Sequence, residues 1–237
     1  MADETYKGDV LQKIAGVSLI VGAILTGVFN AIFPRVSDPD NVQSVLTKLG
    51  DNDTLAQIAS VGIALGIWLI LAGIAGIYRS ISTGAAAPWA RLGFYVFIVA
   101  AATWTASFAI TLGQAGAAAD WLETLAAGEQ AAAAIPFTVG AALYTAGTSF
   151  FAMAVFANWT AIILLGIALS LNTLYPKWLG WIAIILGVVT IPAVGIPLAF
   201  DGLTQTVDTT FMILAGLTTL WILVLGIWIT RREMKAM

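Results

Sequence analysis

Apolar residues fill this chain in long runs, and the charged residues collect in the gaps between them. A helix rises 1.5 Å per residue, so roughly 20 apolar residues cross the ~30 Å hydrocarbon layer of a bilayer. Five runs meet that length, at about 13–33, 54–78, 89–113, 178–200 and 209–230. The uncharged stretch from Ala131 to Pro176 is long for one crossing and short for two with a loop. Charge decides between them. With one crossing at about 143–171 there are six, and Lys7, Lys13, Arg79, Arg91, Lys177, Arg231, Arg232 and Lys235 share a side. The other side receives the acids from Asp38 to Asp208, with only Arg35 and Lys48 as cations. Eight of the ten basic residues on one side predict that side to be cytoplasmic, with both termini inside. A second crossing would put the basic C-terminal tail among the acids. The pattern predicts one all-α domain over 1–237, a six-helix polytopic transmembrane bundle.

The gaps predict smaller elements. Ala118 to Ala134 mixes Trp121, Leu122 and Leu125 with Asp120, Glu123 and Glu129. That reads as a short amphipathic helix on the outer surface, with Pro136 ending it or starting the next helix. In the first outer gap, Ser37–Asp38–Pro39–Asp40 reads as a turn and Asn41–Leu49 as one or two helical turns, with Gly50 as the cap. Pro192 and Pro197 are expected to kink or terminate the fifth crossing. The runs are continuous and far longer than the ten-residue alternating strands of a transmembrane barrel.

Composition sharpens the picture by what is missing. The chain is 60% hydrophobic and 10% charged, against the ~25% charge of a soluble domain. It has no cysteine and no histidine. That removes disulfides, thiolate chemistry, cysteine metal sites, and the usual ligand of haem or chlorophyll. No ionisable residue lies at mid-membrane depth, where proton relays, ion-coupled transport and a retinal Schiff base need one. No catalytic, cofactor-binding or metal-binding residues are predicted. No basic cluster suggests nucleic acid. The acidic opening MADETYKGDV lacks a basic segment before its first apolar run, so that run is expected to be an uncleaved anchor.

Other residues suggest packing and anchoring. Lys13, Trp89 with Arg91, and Lys177 with Trp178 stand where three helices enter the membrane from the cytoplasmic side, each followed by a glycine. Long cations snorkel and tryptophan settles at that depth. The similarity could mark three repeated hairpins, or simply interfacial preference. Gly62 and Gly66 form a GxxxG pair suited to close helix approach. Asn158 falls near the middle of the fourth crossing and should find an interhelical partner, with Thr103 and Thr105 as candidates. Mid-helix Trp68, Trp104, Trp159 and Trp221, with the fifth-helix prolines, could line a greasy cavity.

The segment Pro176-Lys177-Trp178-Leu179-Gly180-Trp181 follows a small-residue helix ending Gly166-Ile167-Ala168-Leu169-Ser170. With Ile14-Ala15-Gly16 and the six-helix layout, it resembles a prokaryotic family of unknown function, domain of unknown function 4386. The resemblance implies a multi-pass bundle of a prokaryotic cytoplasmic membrane and brings no reaction or binding residue. The leading expectation is a non-catalytic structural or accessory subunit meeting lipids, other membrane proteins or pigments. The alternative is a binding or carrier protein for an apolar molecule such as a lipid, quinone or carotenoid. An ion channel or transporter comes third.

Overall fold

A computed structural model describes residues 10–235, apart from the side chains of Glu233 and Lys235. The expectations for the acidic opening, Lys7 and Lys235 therefore lie outside the described residues. Among those described, every regular element is helical: α1 (Val10–Ile32), α2 (Val42–Gly50), α3 (Asp53–Ser80), α4 (Ala87–Ala126), α5 (Gln130–Leu171), α6 (Lys177–Thr190), a π-helical turn (Ile191–Gly195), α7 (Ile196–Phe200) and α8 (Gln205–Lys235). Six are long and apolar enough to cross a membrane, counting α6 through α7 as one. The ambiguous stretch after Ala131 is a single helix, α5. Both ends of the described chain therefore lie at one end of the bundle, here called the base. The opposite end, the rim, carries α2, the α4–α5 turn and the loop before α8. The base holds only cations and the rim nearly all acids, among the described charges outside Glu233 and Lys235.

The six spans form a ring in chain order. Each packs on its neighbours in sequence, and α8 closes the ring on α1. Small residues set the seams. A Cβ on Gly66 would meet the Gly22 carbonyl oxygen at 2.9 Å, and one on Gly62 would run into the Phe29 ring. The GxxxG pair thus holds α3 against α1 inside the molecule. Between α5 and α6, a Cβ on Gly166 would meet the Gly180 carbonyl at 2.7 Å. Between α8 and α1, a Cβ on Gly226 would meet the Gly16 carbonyl at 2.9 Å.

The loops differ from expectation at the rim. No separate amphipathic helix spans Ala118 to Ala134. Instead α4 runs unbroken to Ala126, Gly128 turns the chain with φ +80°, and α5 starts at Gln130. The physical reason is burial: Trp121 is 6% exposed, its ring 5.1 Å from that of Phe137, within a core of Leu46, Leu49, Ala115, Ala118 and Ala133. Such a side chain cannot lie at a lipid interface. Pro136 neither ends nor starts a helix but lies inside α5. Near the start of a long, well-packed helix, the one backbone bond it removes does not break the run. α2 forms as expected, and the Asn41 side chain accepts from the Ser44 amide at 3.1 Å as its N-cap. Gly50, expected as a cap, is instead α2's last helical residue. A Cβ there would meet the Ala118 carbonyl at 2.8 Å, so glycine serves close approach to α4. Pro192 and Pro197 do not terminate the fifth span. The π-helical turn absorbs the missing N–H of Pro192, and the Ile196 amide reaches back to the Ile191 carbonyl.

Candidate functional site

Five spans turn a stripe toward the centre of the ring. Residues three and four apart share a face of a helix. On α4 the stripe is Trp104, Ser107, Thr111 and Gln114; on α5 it is Tyr144, Thr148, Phe151 and Asn158. On α8 it runs Asp208, Phe211, Ala215, Thr218 and Ile222. Thr26 and Asn30 come from α1, and Ile63, Ile67 and Ile70 from α3. The stripes line a partly open cavity of about 240 Å³. Along α8 the lining from Asp208 to Ile222 extends about 21 Å at 1.5 Å per residue. The space is therefore elongated rather than round. α6 contributes no lining residue.

The walls are mainly aromatic and aliphatic. Phe211 organises the middle: its ring meets Phe151 edge-on at 4.8 Å and Trp159 edge-on at 6.0 Å, with Trp104 at 6.2 Å. Toward the rim the lining becomes polar and charged. Arg35 leaves the end of α1 and places Nη1 2.8 Å from Asp208 Oδ1, with Nη2 donating to Asn30 Oδ1 at 2.6 Å. This ties α1 to α8 across the rim end of the cavity. Burial lowers the Arg35 guanidinium pKa from its ordinary value, while the charge and hydrogen bond of Asp208 oppose the shift. The Tyr144 hydroxyl donates to the Pro39 carbonyl, and Val45, Lys48 and Leu49 of α2 complete the roof.

Several polar atoms in this lining are buried without a protein partner. They are Trp159 Nε1, Gln114 Nε2, Arg35 Nε and Thr26 Oγ1. The first three can only donate. Trp159 is 2% exposed and Gln114 is 5% exposed. A buried donor without an acceptor costs about 1–3 kcal/mol, so sites of this kind normally belong to function or bound water. Outside the cavity the Trp221 indole donates to the Leu179 carbonyl at 2.9 Å, while Gln12 Oε1 on α1 is buried without a partner as well.

The residues singled out in the sequence fall in three places. Asn158 lines the cavity and makes no hydrogen bond to Thr103 or Thr105, so the expected contact is absent. Thr103 donates to the Val99 carbonyl of its own helix at 2.8 Å. Thr105 donates to the Ala101 carbonyl and accepts from the Trp68 indole at 2.9 Å, joining α3 to α4 on the outer face of the ring. Of the four tryptophans considered as cavity walls, Trp104 and Trp159 line it. Trp68 is exposed on the outer face, and Trp221 is buried against α6. Gly62 and Gly66 are consumed by the α1–α3 seam. Lys13, Trp89, Arg91, Lys177 and Trp178 stand at the base, with Trp89 and Trp178 exposed as interfacial side chains are. The sequence pattern did not single out Gln114 and Arg35, because Gln114 stands just past the apolar run 89–113 and Arg35 lies in a loop. The signal that finds Gln114 is its place at the end of the 104–107–111–114 stripe.

No family model, curated protein or solved structure matches this chain. Among the described residues, no group of three or more acidic side chains could hold a metal ion. The chemistry on offer is an elongated, largely apolar enclosure whose unpaired polar atoms are mostly donors.

Proposed function

We propose that this protein is a non-catalytic integral membrane protein that binds, and in binding carries, an elongated apolar molecule bearing hydrogen-bond acceptors. The observation that carries the reading is the cavity with buried, unpartnered donors at Trp159 and Gln114. A wholly hydrocarbon ligand would leave those donors unsatisfied, whereas a chain carrying carbonyl, carboxylate or ether oxygen would satisfy them. The reading takes only the prokaryotic setting from the family resemblance. It has the protein in a cytoplasmic membrane with the base facing the cytoplasm, because the base carries the cations.

The accessory-subunit role draws no support from Gly62 and Gly66, which are used between α1 and α3 of one molecule. Channel or ion-coupled transport draws none from the lining, whose charges stand only at its rim end.

Gentle purification into nanodiscs, followed by solvent extraction and mass spectrometry, tests the reading. An oxygenated long-chain molecule should co-purify in near-stoichiometric amount. Ala215→Trp, which places an indole in the lumen, should lose it while retaining helical circular dichroism. Wild-type protein that carries no such molecule, and whose tryptophan fluorescence does not respond to any added one, would count against a binding role.

A further inference from the structure

Resting on the binding reading above, we infer that the ligand passes sideways between cavity and bilayer, through a portal between α1 and α8 in the rim half of the bundle, latched by the Arg35–Asp208 pair. At the base end these two helices touch backbone to backbone. A Cβ on Gly226 would meet the Gly16 carbonyl oxygen at 2.9 Å, and both glycines are buried. Toward the rim the helices part. A Cβ on Gly27 of α1 would meet only the Thr219 methyl, at 3.6 Å, and one on Gly216 of α8 would meet nothing within 4 Å. Gly27 and Gly216 are both exposed.

The helical repeat shows what lies behind this gap. Met212 and Thr219 share the α1-facing side of α8, about 10 Å apart at 1.5 Å per residue. Between them the seam carries only Ala215 on its lumen side and Gly216 on its lipid side. Ala215, Thr219 and, across on α1, Asn30 line the cavity, so the lumen lies directly behind the slot. The other seams around the lumen are filled. The Phe29 ring occupies the space at Gly62 between α1 and α3, and the Trp68 indole bonds Thr105 across α3 and α4. Between α4 and α5, a Cβ on Gly147 would meet the Ile110 side chain at 3.4 Å. The rim is roofed by α2, with fully buried Leu46 against Gly140. An apolar molecule dissolved in lipid therefore meets its shortest path at the α1–α8 slot. Above the slot, Arg35 ties the end of α1 to the first turn of α8 through Asp208, at 2.8 Å. Releasing that tie lets the two helices part further.

The test needs no ligand. The chain has no cysteine, so Asn158→Cys puts a single thiol in the lumen. Full-length protein in nanodiscs meets either N-pyrenylmaleimide, which dissolves in lipid, or a sulfonated maleimide, which stays in water. Alkaline buffer supplies the thiolate, and labelling is followed by mass. The apolar reagent should label several-fold faster than the charged one. Gly216→Phe, whose ring has open space to occupy, should slow the apolar reagent several-fold, and Gly216→Ala should slow it less. Leu217→Phe, on the neighbouring lipid-facing position, should leave the rate unchanged. Arg35→Gln paired with Asp208→Asn should raise it several-fold. A rate indifferent to Gly216→Phe, faster labelling from water, or no labelling by either reagent overturns the portal. An unchanged rate in the double variant overturns the latch. None of these outcomes depends on whether a long-chain molecule co-purifies, so the portal and the binding reading fail separately.

Discussion

Trp159 shows how much one atom can say about a site. Its ring is well packed against Phe211, yet its indole N–H has no protein acceptor, while the indoles of Trp221 and Trp68 both have one. Replacing it with phenylalanine removes the unsatisfied donor and keeps most of the aromatic volume. Trp159→Phe should therefore stabilise the ligand-free protein by about 1 kcal/mol, read from thermal unfolding in detergent after delipidation. The same change should weaken retention of the native ligand. Trp68 behaves differently. Its bond to Thr105 faces outward, and Trp68→Phe should cost only about 0.6 kcal/mol, the average for interhelical hydrogen bonds in lipid. Both residues were visible in the sequence as mid-helix tryptophans. Their different fates were not, because hydrophobicity is the same on the lipid side and the lumen side of a membrane helix.

Helices meet in this molecule through glycine, and the seams define where the cavity is not. A side chain at Gly66 would collide with the Gly22 backbone, which cannot swing away. Gly66→Val should therefore destabilise the bundle by about 1–3 kcal/mol, the usual cost of overpacking, seen as a lower melting temperature. At the rim, Leu46 is fully buried under α2 in a core separate from the main one. Leu46→Ala should cost about 2–5 kcal/mol locally. Hydrogen exchange should then show α2 losing protection while α3 and α5 keep theirs. The lining stripes were legible in principle at this scale. Ser107, Thr111 and Gln114 recur at four- and three-residue steps on α4, a pattern that a search for charged residues overlooks. The extension of α4 to Ala126 was less legible, since an Ala-rich segment with mixed charge reads equally as an interfacial helix. Only the burial of Trp121 against Phe137 separates the two.

Across the whole molecule, the charge asymmetry between rim and base predicts an orientation with the base toward the cytoplasm. The natural absence of cysteine makes that directly measurable. Single substitutions Ser37→Cys at the rim and Ser82→Cys at the base give one thiol each. In intact cells a membrane-impermeant maleimide should label Ser37→Cys freely, and Ser82→Cys only after permeabilisation. The reverse labelling would invert the orientation and place the cavity's polar end toward the cytoplasm.

The amino-acid pattern alone determined the solvent, the number of crossings and the segregation of charge between the two ends. These depend on hydrophobic length and on the cost of placing charge in hydrocarbon, both local properties of the chain. Only the tertiary structure decided that the spans close into a ring, that Gly62 and Gly66 serve α1, and that Asn158 faces a lumen instead of Thr103 or Thr105. In lipid the hydrophobic effect does not tell one side of an apolar helix from another. Which face turns inward is settled by close backbone contacts and polar partners on neighbouring helices, and those exist only once the helices are assembled.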